Sequence, residues 1–471
     1  MRYVSTRGEA KPLLFEDALL AGLARDGGLY LPEAWPKFSP SAVADLAGRD
    51  YADAAYLVMR PYLEGDPSLA DLEQVLDDAY GAFDDPAVAP LRQIAPNMYL
   101  LELFHGPTLA FKDLAMQVVG RMMNKALHRR GVRATVIGAT SGDTGAAAIE
   151  AFRGLDAIDI FILHPKGRVS DVQRRQMTTS SEVNVHNIAI EGTFDDCQAI
   201  VKSLFNDERL RDRLQLTGIN SINWARILAQ TVYYFTSATA LGAPERSVAF
   251  TVPTGNFGDI FAGYAARAMG LPIKRLVIAT NLNDSLPRAL ATGIYEPRGV
   301  IATSSPSMDI QLASNFERLL FELAGRHASR VRSLMDELRE TGRFQLQENE
   351  LRDLRALFTA HSVSEEETDA TIRNFYETTG VLIDPHTAVA IAAAKLEVGD
   401  SETPMVVLST AHPAKFPEAV SRATGTMPEQ PERLRAKLGE TERCEIMPND
   451  SARVTEFISA TARASRTGVR A

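Results

Sequence analysis

Cysteine is scarce in this sequence, which has only Cys197 and Cys444 among its 471 residues. Two thiols cannot build a disulfide framework or a zinc ribbon, so we expect two reduced cysteines in a cytoplasmic protein. Long apolar runs are also missing, because none reaches the roughly 20 residues that a membrane helix requires. Near the N-terminus, Glu16 and Asp17 interrupt the apolar stretch, which predicts that no signal peptide is present.

A strong charge of either sign is absent as well. The chain has 50 basic and 60 acidic residues, and its net charge of −10 is spread along the sequence. A modestly acidic surface is poorly suited to nucleic acid or to an anionic membrane. We therefore expect no nucleic-acid and no membrane partner. The charge leaves the substrate and the oligomeric state open, and for these we expect a small molecule and a monomer or homodimer. The apolar content of 45% is that of a globular protein and excludes a disordered chain.

Three common ligand-binding signatures are missing. The sequence contains no G-x4-G-K-[ST], no G-x-G-x-x-G and no H-E-x-x-H, so ATP, dinucleotide and zinc-protease functions lose their main support. The eight histidines show no spacing typical of metal ligands, and we predict no metal site.

Strand and helix patterns alternate from about residue 95 onward. The runs typical of buried strands cover residues 132–137, 158–163, 183–190, 248–252, 276–280 and 405–408. Helical patterns lie between them, residues 308–378 are mainly helical in pattern, and an Ala-rich helix is predicted over 386–397. Continuous apolar strands between helices predict an α/β fold, with parallel sheets that helices cover on both faces.

The changes of pattern along the chain predict three regions. Residues 1–95 form a mainly helical N-terminal domain, and residues 96–425 form an α/β region with two sub-domains, the smaller at roughly 130–240. The polar residues 426–471 form a C-terminal segment that we expect to pack peripherally.

Two glycine-containing turns each join a predicted strand to a predicted helix: GATSGDTG at 138–145 and PTGNFG at 253–258. The N-terminus of a helix offers free N–H groups and a partial positive charge, which suit a phosphate group. Each turn alone is better explained as an ordinary connection. Two such turns, both lined with Ser, Thr or Asn, favour phosphate binding.

Two further segments carry an amine and a hydroxyl. Lys112 lies among small and apolar residues in HGPTLAFKD (105–113), where burial destabilises its ammonium and leaves an amine that can bond to a carbonyl group. STAHPAKF (409–416) follows the last predicted strand and places hydroxyls at its end. Taken alone, a lysine that reaches water and a helix cap are the better interpretations. Together with a phosphate-binding turn, the amine and the hydroxyl form the set of groups that pyridoxal 5′-phosphate (PLP) requires.

Four of these segments, HGPTLAFKD, TSGDTGAAA, PTGNFGDI and STAHPAKF, resemble the signature segments of the threonine synthase family. The opening YVSTRG…FEDALLAGLARDGGLYLP resembles that family's N-terminal domain. The resemblance covers essentially the whole chain and points to the longer bacterial and fungal type. It implies PLP-dependent fold type II, as in the tryptophan synthase β-subunit. The implied reaction is the last step of threonine biosynthesis, in which O-phospho-L-homoserine and water give L-threonine and phosphate by γ-elimination and β-addition.

The resemblance also implies roles for residues. Lys112 matches the catalytic lysine that binds the cofactor covalently, and Thr410 matches the hydroxyl near the pyridine nitrogen. Asp143 falls where shorter relatives have an Asn beside the cofactor's 3′-oxygen, so its role is open. The loop that holds the cofactor phosphate matches Gly255, Asn256, Phe257, Gly258 and Asp259. The residues matched to substrate binding are Thr140, Ser141, Thr144, Asn220, Ser221 and Arg226. For Arg226 a surface salt bridge is the alternative.

Three other functions stay open. The protein could be a PLP-dependent lyase on another amino acid, such as a dehydratase or a phospho-lyase. It could also be a non-catalytic PLP-binding relative, or an inert α/β scaffold. The second phosphate-binding turn and Arg226 favour a phosphorylated substrate, and the presence of Lys112 with an intact phosphate loop favours catalysis. A scaffold would show no visible absorbance from a bound cofactor.

Overall fold

Helices and strands alternate along most of the chain in the computed structural model, which describes residues 1–140, 142–218, 221–397 and 402–466. The helices are α1 (Phe15–Ala21), α2 (Pro40–Ala44), α3 (Tyr51–Met59), α4 (Leu72–Tyr80), α5 (Lys112–Arg130), α6 (Asp143–Phe152), α7 (Asp171–Thr178), α8 (Phe194–Asn206), α9 (Glu208–Leu214), α10 (Trp224–Ala240), α11 (Gly258–Met269), α12 (Ser285–Thr292), α13 (Phe316–Leu323), α14 (Ala328–Thr341), α15 (Glu348–Leu357), α16 (Glu365–Thr379), α17 (Pro385–Leu396), α18 (Pro417–Thr424), α19 (Glu432–Leu438) and α20 (Ser451–Thr461). The strands are β1 (Tyr3–Ser5), β2 (Tyr30–Pro32), β3 (Leu91–Ala95), β4 (Met98–Glu102), β5 (Ala134–Ala139), β6 (Ile158–Pro165), β7 (Val185–Glu191), β8 (Leu216–Gly218), β9 (Val248–Pro253), β10 (Ile273–Thr280), β11 (Ile294–Tyr295), β12 (Phe344–Gln345), β13 (Phe358–Ser362), β14 (Met405–Ser409) and β15 (Glu445–Pro448).

The larger sheet has the strand order β13–β10–β9–β14–β4–β3 in the described part of the chain. All its neighbouring pairs are parallel except β3 and β4. Side chains alternate between two cores: Val406 and Leu408 face one, and Val407 faces the other. Helix α17 contacts the sheet on one face and α11 on the other, so both faces of these strands are buried.

The smaller sheet has the order β15–β7–β6–β5–β8 in the same described residues, and every pair is parallel. Its strands also alternate between cores, since Ile160 and Ile162 pack on one side and Phe161 and Leu163 on the other. Helix α6 contacts one face, and α8, which packs on α20, contacts the other. The predicted α/β fold, with parallel sheets covered by helices on both faces, is confirmed.

The strand prediction missed the edge strands of both sheets and one interior strand, β4. The predicted runs correspond to β5, β6, β7, β9, β10 and β14. The prediction missed β4 and all four edge strands, β3, β13, β8 and β15. β13 lies inside the stretch predicted as mainly helical, and β15 lies in the predicted C-terminal segment. Edge strands have fewer buried positions and therefore lack a continuous apolar run. The domain boundaries at 95 and 425 stay predictions.

The N-terminal region packs around the start of α10. The ring of Trp224, the first residue of that helix, lies 6.1 Å from Tyr3, 5.9 Å from Trp35 and 5.8 Å from Tyr62 between centroids. Just before it, Asn223 donates its side-chain amide to the carbonyl of Leu19 at 2.8 Å. These contacts fix the first turn of α10 against the N-terminal region. Among the described helices, none combines the length and the apolar character needed to span a membrane.

Candidate active site

A pocket lies where β9 and β14 end, beside the first turns of α5 and α11. Its lining residues are Phe111, Lys112, Pro253, Thr254, Gly255, Asn256, Phe257, Gly258, Asp259, Ile260, Ser307, Met308, His386 and Thr410. Ligands of open α/β sheets bind at the carboxyl ends of the strands, and the pocket lies at that edge of the larger sheet. The structure therefore brings together Lys112, the 255–259 loop and Thr410, three elements that the sequence analysis placed in one site.

Lys112 is the first residue of α5 and is almost completely buried, with 7% of its surface exposed. Its Nζ lies 3.7 Å from Asp143 Oδ2 and donates to Ser307 Oγ at 3.4 Å. Burial lowers the pKa of Lys112, and the nearby Asp143 carboxylate opposes this effect. The burial excludes a lysine that extends into water, and it favours the neutral amine, which is the nucleophilic form.

The segments that carry Lys112 and Thr410 are bonded to each other. The backbone N–H of Phe111 donates to the carbonyl of Thr410 at 2.9 Å, and Ala110 forms a β-bridge with Ala411. Thr410 follows β14 directly and is 5% exposed. This pairing holds the amine of residue 112 and the hydroxyl of residue 410 on the same pocket.

The loop between β9 and α11 has a backbone that suits an anion. Phe257 has φ 68°, in the left-handed region that non-glycine residues rarely adopt. Its ring packs against Phe316 and Phe358 at 5.3 and 5.9 Å between centroids, and this packing compensates the backbone strain. Helix α11 begins at the next residue, Gly258, so the free N–H groups of its first turn belong to the pocket wall.

Gly255 allows the 307–308 segment to approach this loop. A Cβ at position 255 would lie 2.7 Å from the carbonyl oxygen of Ser307, so only glycine fits. The Ser307 N–H donates to His386 Nε2 at 3.2 Å, and His386 Nδ1 contacts Asp384 Oδ2 at 2.7 Å. The sequence analysis missed Ser307 and His386. The only sequence signal was the Asp384-Pro385-His386 segment at the start of α17. It is typical of a helix start and does not by itself indicate a binding residue.

Asp143 connects two lysines. Its Oδ1 accepts from Lys415 Nζ at 2.9 Å and from the side-chain amide of Gln173 at 2.9 Å. Its Oδ2 accepts from Ser307 Oγ at 3.3 Å and faces Lys112. Burial alone would raise the pKa of Asp143, but the ammonium groups of Lys415 and Lys112 hold it well below its ordinary value. Sequence reasoning missed Lys415, although it lies among small and apolar residues, as Lys112 does.

Asp259, the second residue of α11, is buried beside the pocket. Its Oδ1 accepts from the hydroxyls of Tyr233 and Tyr234, while its Oδ2 has no hydrogen-bond partner among the described residues. Burial raises the pKa of Asp259 to about 6, although both hydroxyls oppose the shift. The last residue of the 255–259 loop is therefore a carboxyl group that is partly protonated near neutral pH.

Asp259→Asn should remove a pH-dependent loss in the free energy of unfolding of the cofactor-free protein. Between the ordinary carboxyl pKa of 3.8 and about 6, the folded protein keeps a proton that the unfolded chain has released. The stability that depends on this group therefore falls as pH rises through that window, by roughly 3 kcal/mol in total. Urea denaturation between pH 4 and pH 7, which covers most of this window, should show the variant gaining roughly 2 kcal/mol relative to the wild type.

The matched control for this prediction is Asp195→Asn, which changes an exposed carboxyl group on α8. Its unfolding free energy should follow that of the wild type across the same range. A difference between wild type and Asp259→Asn that is equal at pH 4 and pH 7 would contradict the raised pKa.

The turn after β5, the first of the two predicted substrate segments, is held by Thr140. Its Oγ1 accepts from the N–H groups of Gly142 and Gly145 at 3.0 and 2.9 Å, so the hydroxyl stabilises the start of α6. Thr144 is half-buried in the first turn of that helix. Ser141 lies outside the described residues.

The second predicted substrate segment precedes and begins α10. Arg226 is 4% exposed, which excludes a surface salt bridge. Burial lowers the pKa of Arg226 to about 10, so the guanidinium is still charged at neutral pH, and its charge helps to lower the pKa of Lys112. Ser221 Oγ accepts from Asn315 at 3.4 Å, and Asn220 lies outside the described residues. The pocket lining includes Lys112 but none of the described residues predicted to bind substrate.

Asn315 and the buried Arg318 connect this second segment to the pocket loop. Besides Ser221, the side-chain amide of Asn315 donates to the carbonyl of Asn256 at 3.2 Å. Arg318, which bonds the Asn315 side chain, also donates to the carbonyls of Ile222 and Tyr30 at 2.5 and 2.9 Å. No sequence signal pointed to this pair, because its contacts join segments far apart in the chain.

Three family models match the chain. The model described as threonine synthase N terminus matches residues 2–80, and that described as pyridoxal-phosphate dependent enzyme matches residues 87–410. A third, described as threonine synthase, C-terminal, matches residues 387–458. Together these matches extend over almost the whole chain.

Individual relatives agree with the family models. The threonine synthase of Pseudomonas aeruginosa is 52% identical over 460 residues, which cover 98% of this chain and 98% of that protein. Among solved structures, PLP-bound threonine synthase from Brucella melitensis has a TM-score of 0.96 and 55% identity, with 98% of this chain and 100% of that chain covered. Threonine synthase from yeast has a TM-score of 0.92 and 40% identity, with 98% of each chain covered.

Proposed function

This chain belongs to the threonine synthase family of PLP-dependent enzymes, and we propose that it converts O-phospho-L-homoserine and water to L-threonine and phosphate. Phosphate leaves by γ-elimination and water adds at Cβ, as the last step of threonine biosynthesis. The fold is PLP fold type II. The observation that carries the proposal is the buried Lys112 amine, which shares one pocket with the 255–259 loop at the start of α11.

PLP is the cofactor, and the pocket residues fit it. We assign the covalent bond to Lys112, the cofactor phosphate to residues 255–259, and contact with the ring nitrogen to Thr410. Two features support this assignment: Gly255 leaves space where a side chain would collide with Ser307, and α11 presents its N-terminus to the loop. When bound, PLP acts as an electron sink for negative charge at the substrate carbon atoms.

Lys112 is the residue that we assign to proton transfer at Cα, Cβ and Cγ of the substrate. Burial lowers the pKa of Lys112 and so favours the form that can accept a proton, while Asp143 stabilises the protonated form. Thr410 offers the cofactor ring a neutral hydroxyl in place of a carboxylate, which limits the positive charge on the ring nitrogen. Such a limit favours elimination and replacement over transamination.

Recognition of the substrate phosphate is assigned to the predicted substrate residues, with Arg226 as the main cation. A guanidinium matches phosphate by paired hydrogen bonds, and Arg226 lies in the first turn of α10, where the helix dipole adds positive charge. Thr140, Ser141, Thr144, Asn220 and Ser221 complete the proposed group. We also propose a cytoplasmic monomer or homodimer without a nucleic-acid partner, and the two free thiols, Cys197 and Cys444, support a reducing location.

The test is to supply O-phospho-L-homoserine to the purified PLP-loaded enzyme and to measure phosphate and threonine together. We expect equal amounts of both products, and none from L-homoserine, which lacks the phosphate leaving group. Phosphate with 2-oxobutyrate in place of threonine would identify a deaminating lyase. Absence of both products, with the visible cofactor absorbance present, would contradict catalysis on this substrate.

A further inference from the structure

Three buried groups of alternating charge extend from the pocket into the protein. Lys112 Nζ lies 3.7 Å from Asp143 Oδ2, and Lys415 Nζ lies 2.9 Å from Asp143 Oδ1. Lys415 is completely buried and does not line the pocket. It therefore contacts neither solvent nor the pocket, and Asp143 separates it from the Lys112 amine.

Three hydrogen-bond acceptors surround the Lys415 ammonium group. Its Nζ donates to the carbonyl of Thr108 at 2.7 Å, to Gln176 Oε1 at 3.0 Å and to Asp143. An ammonium group has three N–H donors, and these three acceptors use all of them. All three acceptors belong to buried residues, so the site is complementary to an ammonium group.

Asp143 is held as firmly as Lys415. Its Oδ1 accepts from Lys415 and from Gln173, and its Oδ2 is left to Ser307 and Lys112. One carboxylate oxygen therefore contacts the buried Lys415, and the other contacts Ser307 and Lys112, which line the pocket. Without Lys415, the full negative charge of Asp143 would act on the Lys112 amine alone.

We propose that Lys415 is a positioning residue. It balances the charge of Asp143 and orients that carboxylate, so that the Lys112 amine both accepts and releases protons during catalysis. The catalytic consequence rests on the proposed function, whereas the effect on Lys112 does not. The pair also explains how a carboxylate is accommodated at position 143, the role that the sequence analysis left open.

Other charged groups near the Lys112 amine come from separate elements. Arg226 on α10 and Asp259 on α11 interact with it electrostatically, and His386 on α17 lines the same pocket. These groups are unchanged by substitution of Lys415. Lys415 also repels the Lys112 ammonium directly, which lowers the pKa of Lys112. Any further change on substitution of Lys415 is therefore due to Asp143.

The test follows the visible absorbance of the PLP-loaded enzyme against pH, since that absorbance reports the proton on the Lys112 nitrogen. Lys415→Met should move the midpoint upward by about one to two pH units, because the attraction of Asp143 is no longer balanced. Asp143→Asn should move it downward. In the Asp143→Asn background no carboxylate is left to balance, so Lys415→Met should move the midpoint much less, through the loss of its direct repulsion of Lys112 alone.

A second variant at position 415 protects the test against misfolding. Lys415→Met leaves a buried carboxylate without its cation and without its donor, whereas Lys415→Gln removes the charge and keeps an N–H donor for Asp143. If Lys415→Met does not fold, the titration of Lys415→Gln decides. The control is Lys395→Met, an exposed lysine at the end of α17.

An unchanged midpoint in Lys415→Met or, where that variant does not fold, in Lys415→Gln would overturn the proposal. The melting temperature of each variant is measured beside the titration, and a purely structural role for Lys415 would lower it without moving the midpoint. If the midpoint shifts as expected but the wild type forms no threonine, the proposed function fails and the Lys415 assignment stands.

Discussion

Lys112→Ala should abolish threonine formation, with kcat/KM falling by roughly ten-thousand-fold or more. The variant loses the amine that bonds to the cofactor and the proposed proton carrier at the same time, and no other described lysine lines the pocket. Lys415, the nearby buried alternative, is held by three acceptors and separated from the pocket by Asp143. Phosphate and threonine assays over a range of O-phospho-L-homoserine concentrations, together with the visible spectrum, measure both losses.

The control for this variant is Lys395→Ala, which removes an exposed amine from the end of α17 and should retain wild-type activity. Addition of a small primary amine such as methylamine to Lys112→Ala should restore part of the activity, because it supplies the missing base. Threonine formation by Lys112→Ala within tenfold of the wild type would show that another group transfers the proton.

The strands of this fold were predictable where both faces of the sheet are covered. β9 and β14 have mainly apolar sequences because nearly all their side chains are buried, on both faces of the sheet, and such runs are readily recognised. Among the described strands, β13, with the sequence FTAHS, pairs with β10 alone and retains polar residues. Its assignment depends on tertiary contact with β10, which a local pattern does not contain.

The same distinction applies to the candidate site. Lys112 and the 255–259 loop belong to short contiguous segments whose composition points to an amine and an anion-binding turn. Ser307 and His386 gain their positions only through contacts between distant segments, such as the bond between the Ser307 N–H and His386. Lys415 shows that a correct local signal, a lysine among small residues, does not by itself distinguish a pocket lysine from one that acts behind it.

Arg226→Gln should weaken use of the phosphorylated substrate while leaving the cofactor bound. Hydrogen bonds to charged groups contribute about 1.5–3 kcal/mol, and about 1.4 kcal/mol corresponds to a factor of ten. We therefore expect kcat/KM for O-phospho-L-homoserine to fall by roughly 10- to 150-fold, mainly through KM. Steady-state kinetics measure this loss, and the visible spectrum of the variant should equal that of the wild type.

Two further variants make this prediction specific. Arg209→Gln removes an exposed arginine from α9 and should leave KM unchanged. Arg226→Lys keeps the charge without the paired donors, so its KM should lie between those of the wild type and Arg226→Gln. A wild-type KM in Arg226→Gln would remove Arg226 from the substrate site, and a loss of cofactor absorbance would place it with the cofactor.

The melting temperature of Arg226→Gln distinguishes a structural role of Arg226 from a role in binding. Burial lowers the pKa of Arg226 to about 10, which means that the folded protein bears a cost for keeping this guanidinium charged away from water. An arginine kept for structure alone should lower the melting temperature when it is replaced. An arginine kept for a phosphate should leave the melting temperature unchanged or raise it, while activity falls. The opposite movement of stability and KM in one variant would therefore identify Arg226 as a binding residue.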